Sequence, residues 1–126
     1  MNRQIKSYKE LIVWKKSMDL TVKIYKLTQN FPKAESYGLV NQIKRAVVAI
    51  PSNIAEGHTR IHTKEYLQFV NIAFASGAEL ETQLELSNML GYIPVSEYYS
   101  IIKALNEVMC MLNKLSQALK TKIVKP

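Results

Sequence analysis

Glu56, His58, His62 and Glu65 gather in one short stretch, where imidazoles and carboxylates are close enough in sequence to suggest a metal. The spacing argues against one. Carboxylate-bridged iron in a helical bundle needs Glu-x-x-His on two helices with further Glu on the others, and this chain offers only His62-x-x-Glu65, in reverse order and at a helix start. His58 and His62 are four apart, but the stretch between Gly57 and His62 reads as a turn, so they are expected to be surface histidines, with metal ligands: none. Nucleophilic catalysis lacks its parts as well. Asp19 is the only aspartate, no Gly-x-Ser-x-Gly or Cys-His arrangement occurs, and Cys110 sits between Met109 and Met111, which predicts a buried structural thiol. Glu79, Glu81 and Glu85 have no evident acid or base partner, and the four glycines are scattered singly instead of forming a phosphate-cradling loop. The expectation is a protein that is not an enzyme, with catalytic residues: none, no cofactor and no small-molecule substrate.

Basic side chains are the remaining chemistry. The chain carries a net charge of +7, unevenly placed. Residues 1 to 64 hold twelve Lys or Arg against four carboxylates; residues 65 to 102 hold five glutamates and no basic residue; residues 103 to 126 hold five lysines against Glu107. A lysine-rich face binds polyanion backbone by releasing counterions, which demands charge but little sequence-specific geometry. The residues expected to make such contacts to RNA or DNA are Lys15, Lys16, Lys23, Lys26, Lys44, Arg45 and Arg60. The segregation also suits contact between a basic surface on one copy and an acidic one on another.

Four helices must position these groups. Pro32 with Gly38, Gly57, and Gly91 with Pro94 divide the chain into long segments of helical period, without strand-like alternation. The first helix is expected from the Ser7-x-x-Glu10 capping box to about Asn30, with Val13, Trp14, Met18, Leu20, Thr21, Ile24, Tyr25 and Leu27 inward. The second is expected from Ser36 as N-cap, with Leu39, Ile43, Ala46, Val47, Ile50 and Ile54 in phase across Pro51, which favours a kink over two helices. The third opens near Thr63 and carries the cleanest seam: Tyr66, Val70, Ala73, Gly77, Leu80, Leu84 and Ser87, spaced alternately four and three. Glycine inside a helix costs about 1 kcal/mol against alanine, so Gly77 implies a neighbouring helix at close range. Gly91 is expected as the C-terminal cap and Ser96 as the N-cap of the fourth helix, whose Ile101, Leu105, Val108, Leu112, Leu115 and Leu119 repeat the spacing. Short breaks between long helices make an all-α, antiparallel up-down four-helix bundle the simplest packing.

Phe69, Ile72, Leu86 and Leu90 fall off the main seam of the third helix, as do Ile102, Met109 and Met111 of the fourth; the first four are expected to form an interface between copies. One domain over residues 1–126 is expected, with short flexible tails at about 1–8 and 120–126. No apolar run approaches the ~20 residues needed to span a bilayer and the first ten residues are polar, from which a cytoplasmic protein is expected, with no membrane contact.

Several motifs carry a family resemblance. Val13-Trp14-Lys15-Lys16, the run Phe31-Pro32-Lys33-Ala34-Glu35-Ser36-Tyr37-Gly38-Leu39, then Gln42-Ile43-Lys44-Arg45-Ala46, Ser52-Asn53-Ile54-Ala55-Glu56-Gly57 and Leu90-Gly91-Tyr92 resemble the four-helix-bundle proteins encoded by intervening sequences in bacterial 23S rRNA genes. The resemblance implies a left-handed antiparallel bundle that assembles as a ring, commonly a homopentamer, and relatedness to accessory proteins of diversity-generating retroelements. It also implies a basic nucleic-acid-binding scaffold, supplies no catalytic residues, and places Asn53, Glu56 and Gly57 at the end of the second helix, in capping and turning roles.

Overall fold

The structure is a computed structural model that describes residues 7 to 124. Four α-helices follow one another: α1 Ile12–Thr28, α2 Leu39–His58, α3 Thr63–Met89 and α4 Val95–Val124. Among the described residues there is no strand. Each helix packs on its sequence neighbour and α4 closes back on α1, while the diagonal pairs α1/α3 and α2/α4 do not approach. Every neighbouring pair is antiparallel. Thr21 meets Val47 and Tyr25 meets Lys44; Gly77 meets Met109 and Asn71 meets Ser116; Lys16 meets Glu107. The up-down bundle expected from the periodicity is therefore the fold.

The core is built from the expected stripes. From α2 come Ile43, Val47, Ile50 and Ile54, from α3 Val70, Ala73, Leu80 and Leu84, and from α4 Leu105, Val108 and Leu112, all essentially without exposure. Fully burying a Leu or Ile side chain contributes ~1.5–3 kcal/mol, so these layers dominate stability. On α1 the expected sector is displaced. Met18 and Tyr25 are 40% exposed, and Ser17 and Thr28 are buried in their stead. Small hydroxyls fit there because each turns back on its own helix: Ser17 Oγ donates to the Trp14 carbonyl at 2.8 Å and Thr28 Oγ1 to the Tyr25 carbonyl at 3.1 Å. Ser87 does the same in the α3 seam, donating to the Gln83 carbonyl at 2.7 Å. Gln83 is the exception, since its Oε1 is buried and without a hydrogen-bond partner.

Three helix starts differ from expectation. Ser7 does cap a helical turn, its hydroxyl accepting from the Lys9 N–H at 3.2 Å, but that turn is a 3-10 segment over Tyr8–Glu10, and extended Leu11 separates it from α1. Tyr8 packs edge-on against Trp14, ring centroids 5.4 Å apart, which pins the turn to α1. Ser36 closes a second 3-10 segment over Lys33–Glu35, and α2 begins only after Gly38. Ser96 lies inside the first turn of α4; the Pro94 carbonyl receives the Tyr98 N–H at the helix start. Gly91 is the cap expected of it. At φ 78° it lets its own N–H reach the Asn88 carbonyl and the Tyr92 N–H reach the Ser87 carbonyl, the two bonds of a Schellman motif.

Pro51 stands inside a helix that runs unbroken from Leu39 to His58. The Val47 carbonyl, which loses its helical donor to the proline ring, has the Thr21 hydroxyl of α1 at 3.5 Å, although the shorter bond of that hydroxyl is to Ser17 at 2.8 Å. Gly57 lies one residue before the end of α2, as expected, and its carbonyl accepts the Arg60 N–H at 3.1 Å as the chain begins to turn. It is buried within α2, where a Cβ would stand 2.7 Å from Phe69 Cβ and 2.9 Å from Tyr66 Cδ1, so its absence lets α3 come close. The connection to α3 runs from Thr59 to His62. Of the expected tails, residues 1–6 and 125–126 lie outside the described residues; α4 is helical through Val124.

Candidate nucleic-acid interface

The seven basic residues singled out in the sequence do not share one surface. Lys16 and Lys23 line the α1 edge that faces α4: Lys16 Nζ is 3.1 Å from Glu107 Oε2, and Lys23 and Lys26 border a groove of about 340 Å³ with Leu27, Asn30, Glu97, Ser100 and Ile101. Lys15 is exposed and lies in helical phase with Val22 and Lys26, turned away from Lys16 and Lys23. Lys44 and Arg45 belong instead to α2, around Tyr25. The Lys44 ammonium lies 4.8 Å from the centroid of that ring, and Arg45 borders the grooves on both sides of α2. Arg60 stands at the far end of α2, about 23 Å from Arg45 by the helical rise. There it lies over the Phe69 ring at 4.7 Å and 4.0 Å from Glu56.

The α1/α4 edge gains residues that the sequence reading did not name. Lys103 and Lys114 are exposed, and their positions four before and seven after Glu107 put them on the stripe of α4 that meets Lys16. Five lysines, namely Lys16, Lys23, Lys26, Lys103 and Lys114, thus share this side with Asp19, Glu97 and Glu107. The surplus is positive. The spacing Lys103, Glu107, Lys114 was the signal available in the sequence, but nothing there says which helix lies alongside it. An exposed pair such as Lys16 with Glu107 contributes only ~0–1 kcal/mol, so the pair holds Lys16 only weakly.

The other chemistry-bearing residues fall apart. His58 is half-buried edge-on to Tyr66, ring centroids 5.7 Å apart, while His62 is exposed at the N-cap of α3. Among the described residues no three His, Cys, Asp or Glu side chains converge as metal ligands would. Cys110 is exposed, contrary to the buried thiol expected from its apolar neighbours; Met109 and Met111 are partly buried to either side of it. At ~100° per residue the three cannot share one face, and the core takes Val108 and Leu112. Asn53 and Glu56 do not cap α2: the Asn53 amide donates to the Ala49 carbonyl at 2.7 Å within the helix, and the Glu56 carboxylate faces Arg60. Of the expected interface residues, Ile72, Leu86 and Leu90 are about half exposed and Phe69 is partly covered by Arg60. No helix among the described residues is long and apolar enough to cross a membrane.

Comparison with known proteins agrees with the helical fold. The model of a family described as 23S rRNA-intervening sequence protein matches residues 9–114, from the first 3-10 turn well into α4. A crystal structure of a protein of unknown function from the S23 ribosomal protein family of Bacteroides thetaiotaomicron superposes with a TM-score of 0.76 at 28% identity. The match covers 83% of this chain and 98% of that one. No curated protein matches.

Proposed function

The chain belongs to the 23S rRNA-intervening sequence protein family, and from that premise we propose that it is a non-enzymatic, self-associating bundle that holds RNA or DNA by its phosphates. The α1/α4 edge carries the reading: lysines at Lys16, Lys23, Lys103 and Lys114 on two rigid, antiparallel rods, with nothing around them organised to read a base. Lys16 and Lys23 are two helical turns apart, about 10 Å, a span of roughly three base-pair rises on a duplex. Lys26 extends this surface, whereas Lys15, Lys44, Arg45 and Arg60 belong to other faces and are not among its contacts. Self-association, in the homopentameric ring that the resemblance implies, repeats the lysine edge and multiplies weak contacts.

Titration of structured RNA and of duplex DNA at several salt concentrations tests this. The logarithm of affinity is expected to fall linearly with the logarithm of salt, by about 0.9 per duplex phosphate neutralised and about 0.7 on a single strand. A flat response rejects phosphate binding. A second reading is supported by the exposed apolar residues Ile72, Met89, Leu90, Val95 and Tyr99: a scaffold that grips another protein and ignores nucleic acid. One stoichiometric protein partner that survives nuclease treatment, together with a flat salt response, favours it.

A further inference from the structure

Two apolar stripes remain uncovered on the outside of the bundle, one on either side of α2. The first is a ridge on α1 formed by Met18, Val22 and Tyr25, spaced four and three so that they share a face, with Val48 of α2 beside them; these four are 38 to 52% exposed. Its margin carries Lys44, which rests over the Tyr25 ring and has no ion-pair partner among the described residues. The second stripe runs along α3, where Ile72 and Leu86 lie seven residues either side of Glu79 and Leu90 continues the line; the three apolar members are 46 to 51% exposed. Glu79 borders the α2/α3 groove, and its one hydrogen bond is a long contact, 3.4 Å, from the Gln83 amide. It too has no ion-pair partner among the described residues.

We propose that the ridge of one copy docks on the stripe of the next. The inference rests on the self-association read above and names the two surfaces that make it. Both stripes follow the 3.5-residue period at which helices pack by interlocking side chains. The charges then decide the pairing. Ridge on ridge sets Lys44 against Lys44, and stripe on stripe sets Glu79 against Glu79, each a like-charge contact; ridge on stripe brings Lys44 to Glu79. The contact is therefore between different faces of two copies, and it leaves the α1/α4 lysine edge open.

A contact of this kind has a signature in mixtures. Val22→Glu blocks the ridge, and Leu86→Asn with Leu90→Asn blocks the stripe; all three positions are exposed, and circular dichroism checks that helicity is kept. If the Asn variant loses helix, Ile72→Asn takes its place. With nuclease-treated protein in light scattering, each variant alone is expected to be monomeric. Mixed one to one they are expected to form a heterodimer and nothing larger, because one free ridge meets one free stripe. Wild-type assembly by either variant, or a mixture that stays monomeric, overturns the docking while leaving self-association standing. A wild-type chain that is monomeric at high concentration overturns both, and neither result touches the RNA titration.

Discussion

Two glycines show how much a single Cβ decides. Gly57 of α2 and Gly77 of α3 both face a neighbouring helix, but what they face differs: Cβ of Phe69 and the ring of Tyr66 for the first, the Met109 thioether for the second. A Cβ is fixed to its backbone, so an alanine at 57 has to push α3 away, whereas methionine has three rotatable bonds and swings aside. Gly57→Ala is expected to destabilise by about 2 kcal/mol, in the range of overpacked cores. Gly77→Ala is expected to stay within about 1 kcal/mol of wild type, because the gain in helix propensity offsets the repacking of Met109. Urea denaturation of the two variants side by side measures the difference. Cys110 gives a second prediction at this scale: as an exposed thiol it is expected to react stoichiometrically with a thiol reagent in the native protein, without denaturant. Labelling that waits for unfolding contradicts the packing of α4.

The elements are joined at one end by a contact between two loops. Tyr92, just past the α3 cap, donates its hydroxyl to Glu35 Oε2 at 2.8 Å and packs its ring against Phe31, centroids 5.4 Å apart. It ties the α1–α2 connection to the α3–α4 connection. The hydrogen bond to Glu35, with burial and the carboxylate charge adding to it, pushes the phenol above its ordinary value of about 10. A phenol that holds its proton more tightly in the folded chain stabilises below the unfolded value and loses that contribution as pH rises through the folded one. Tyr92→Phe is thus expected to melt lower than wild type near pH 8, and to lose less melting temperature than wild type between about pH 9 and 11. Tyr66 and Tyr98 are also raised, chiefly by burial, so alkaline sensitivity is reduced in this variant and not abolished. Parallel melting curves of the two proteins over pH contradict the tether.

At the scale of the whole molecule, the bundle sorts basic residues by face instead of by sequence. Lys103 lies far from Lys16 along the chain, yet both border the α1/α4 edge, while Arg60 is carried to the opposite end of α2. Lys23→Ala and Lys103→Ala are each expected to reduce the salt slope of nucleic-acid binding by about one, with Arg60→Ala leaving it unchanged. Equal losses from all three, measured in the same titration, contradict the assignment to one edge. A sequence-independent partner is what such an edge suits, because lysines on straight helices present charge at regular intervals without the fixed donor geometry needed to distinguish bases.

Period and punctuation were enough to define the four helices. Apolar residues at intervals of four and three can be buried together only on a helix, so the seams from Tyr66 to Ser87 and from Ile101 to Leu119 were legible, as was the left-handed cap at Gly91. The sequence also marked Gly77 as a place of close approach, because a glycine amid good helix formers needs a compensating contact. It did not mark what turned on neighbours. Ser17 displaced Met18 from the core of α1, since the space between helices there admits a small hydroxyl bonded to its own backbone and no longer side chain. Cys110 went outward although its neighbours are apolar, and Gly57, at the expected end of α2, is also the surface on which α3 packs. Helical phase settles relative directions along one rod; only the packing of four rods fixes which direction is inside, and which lysines stand together.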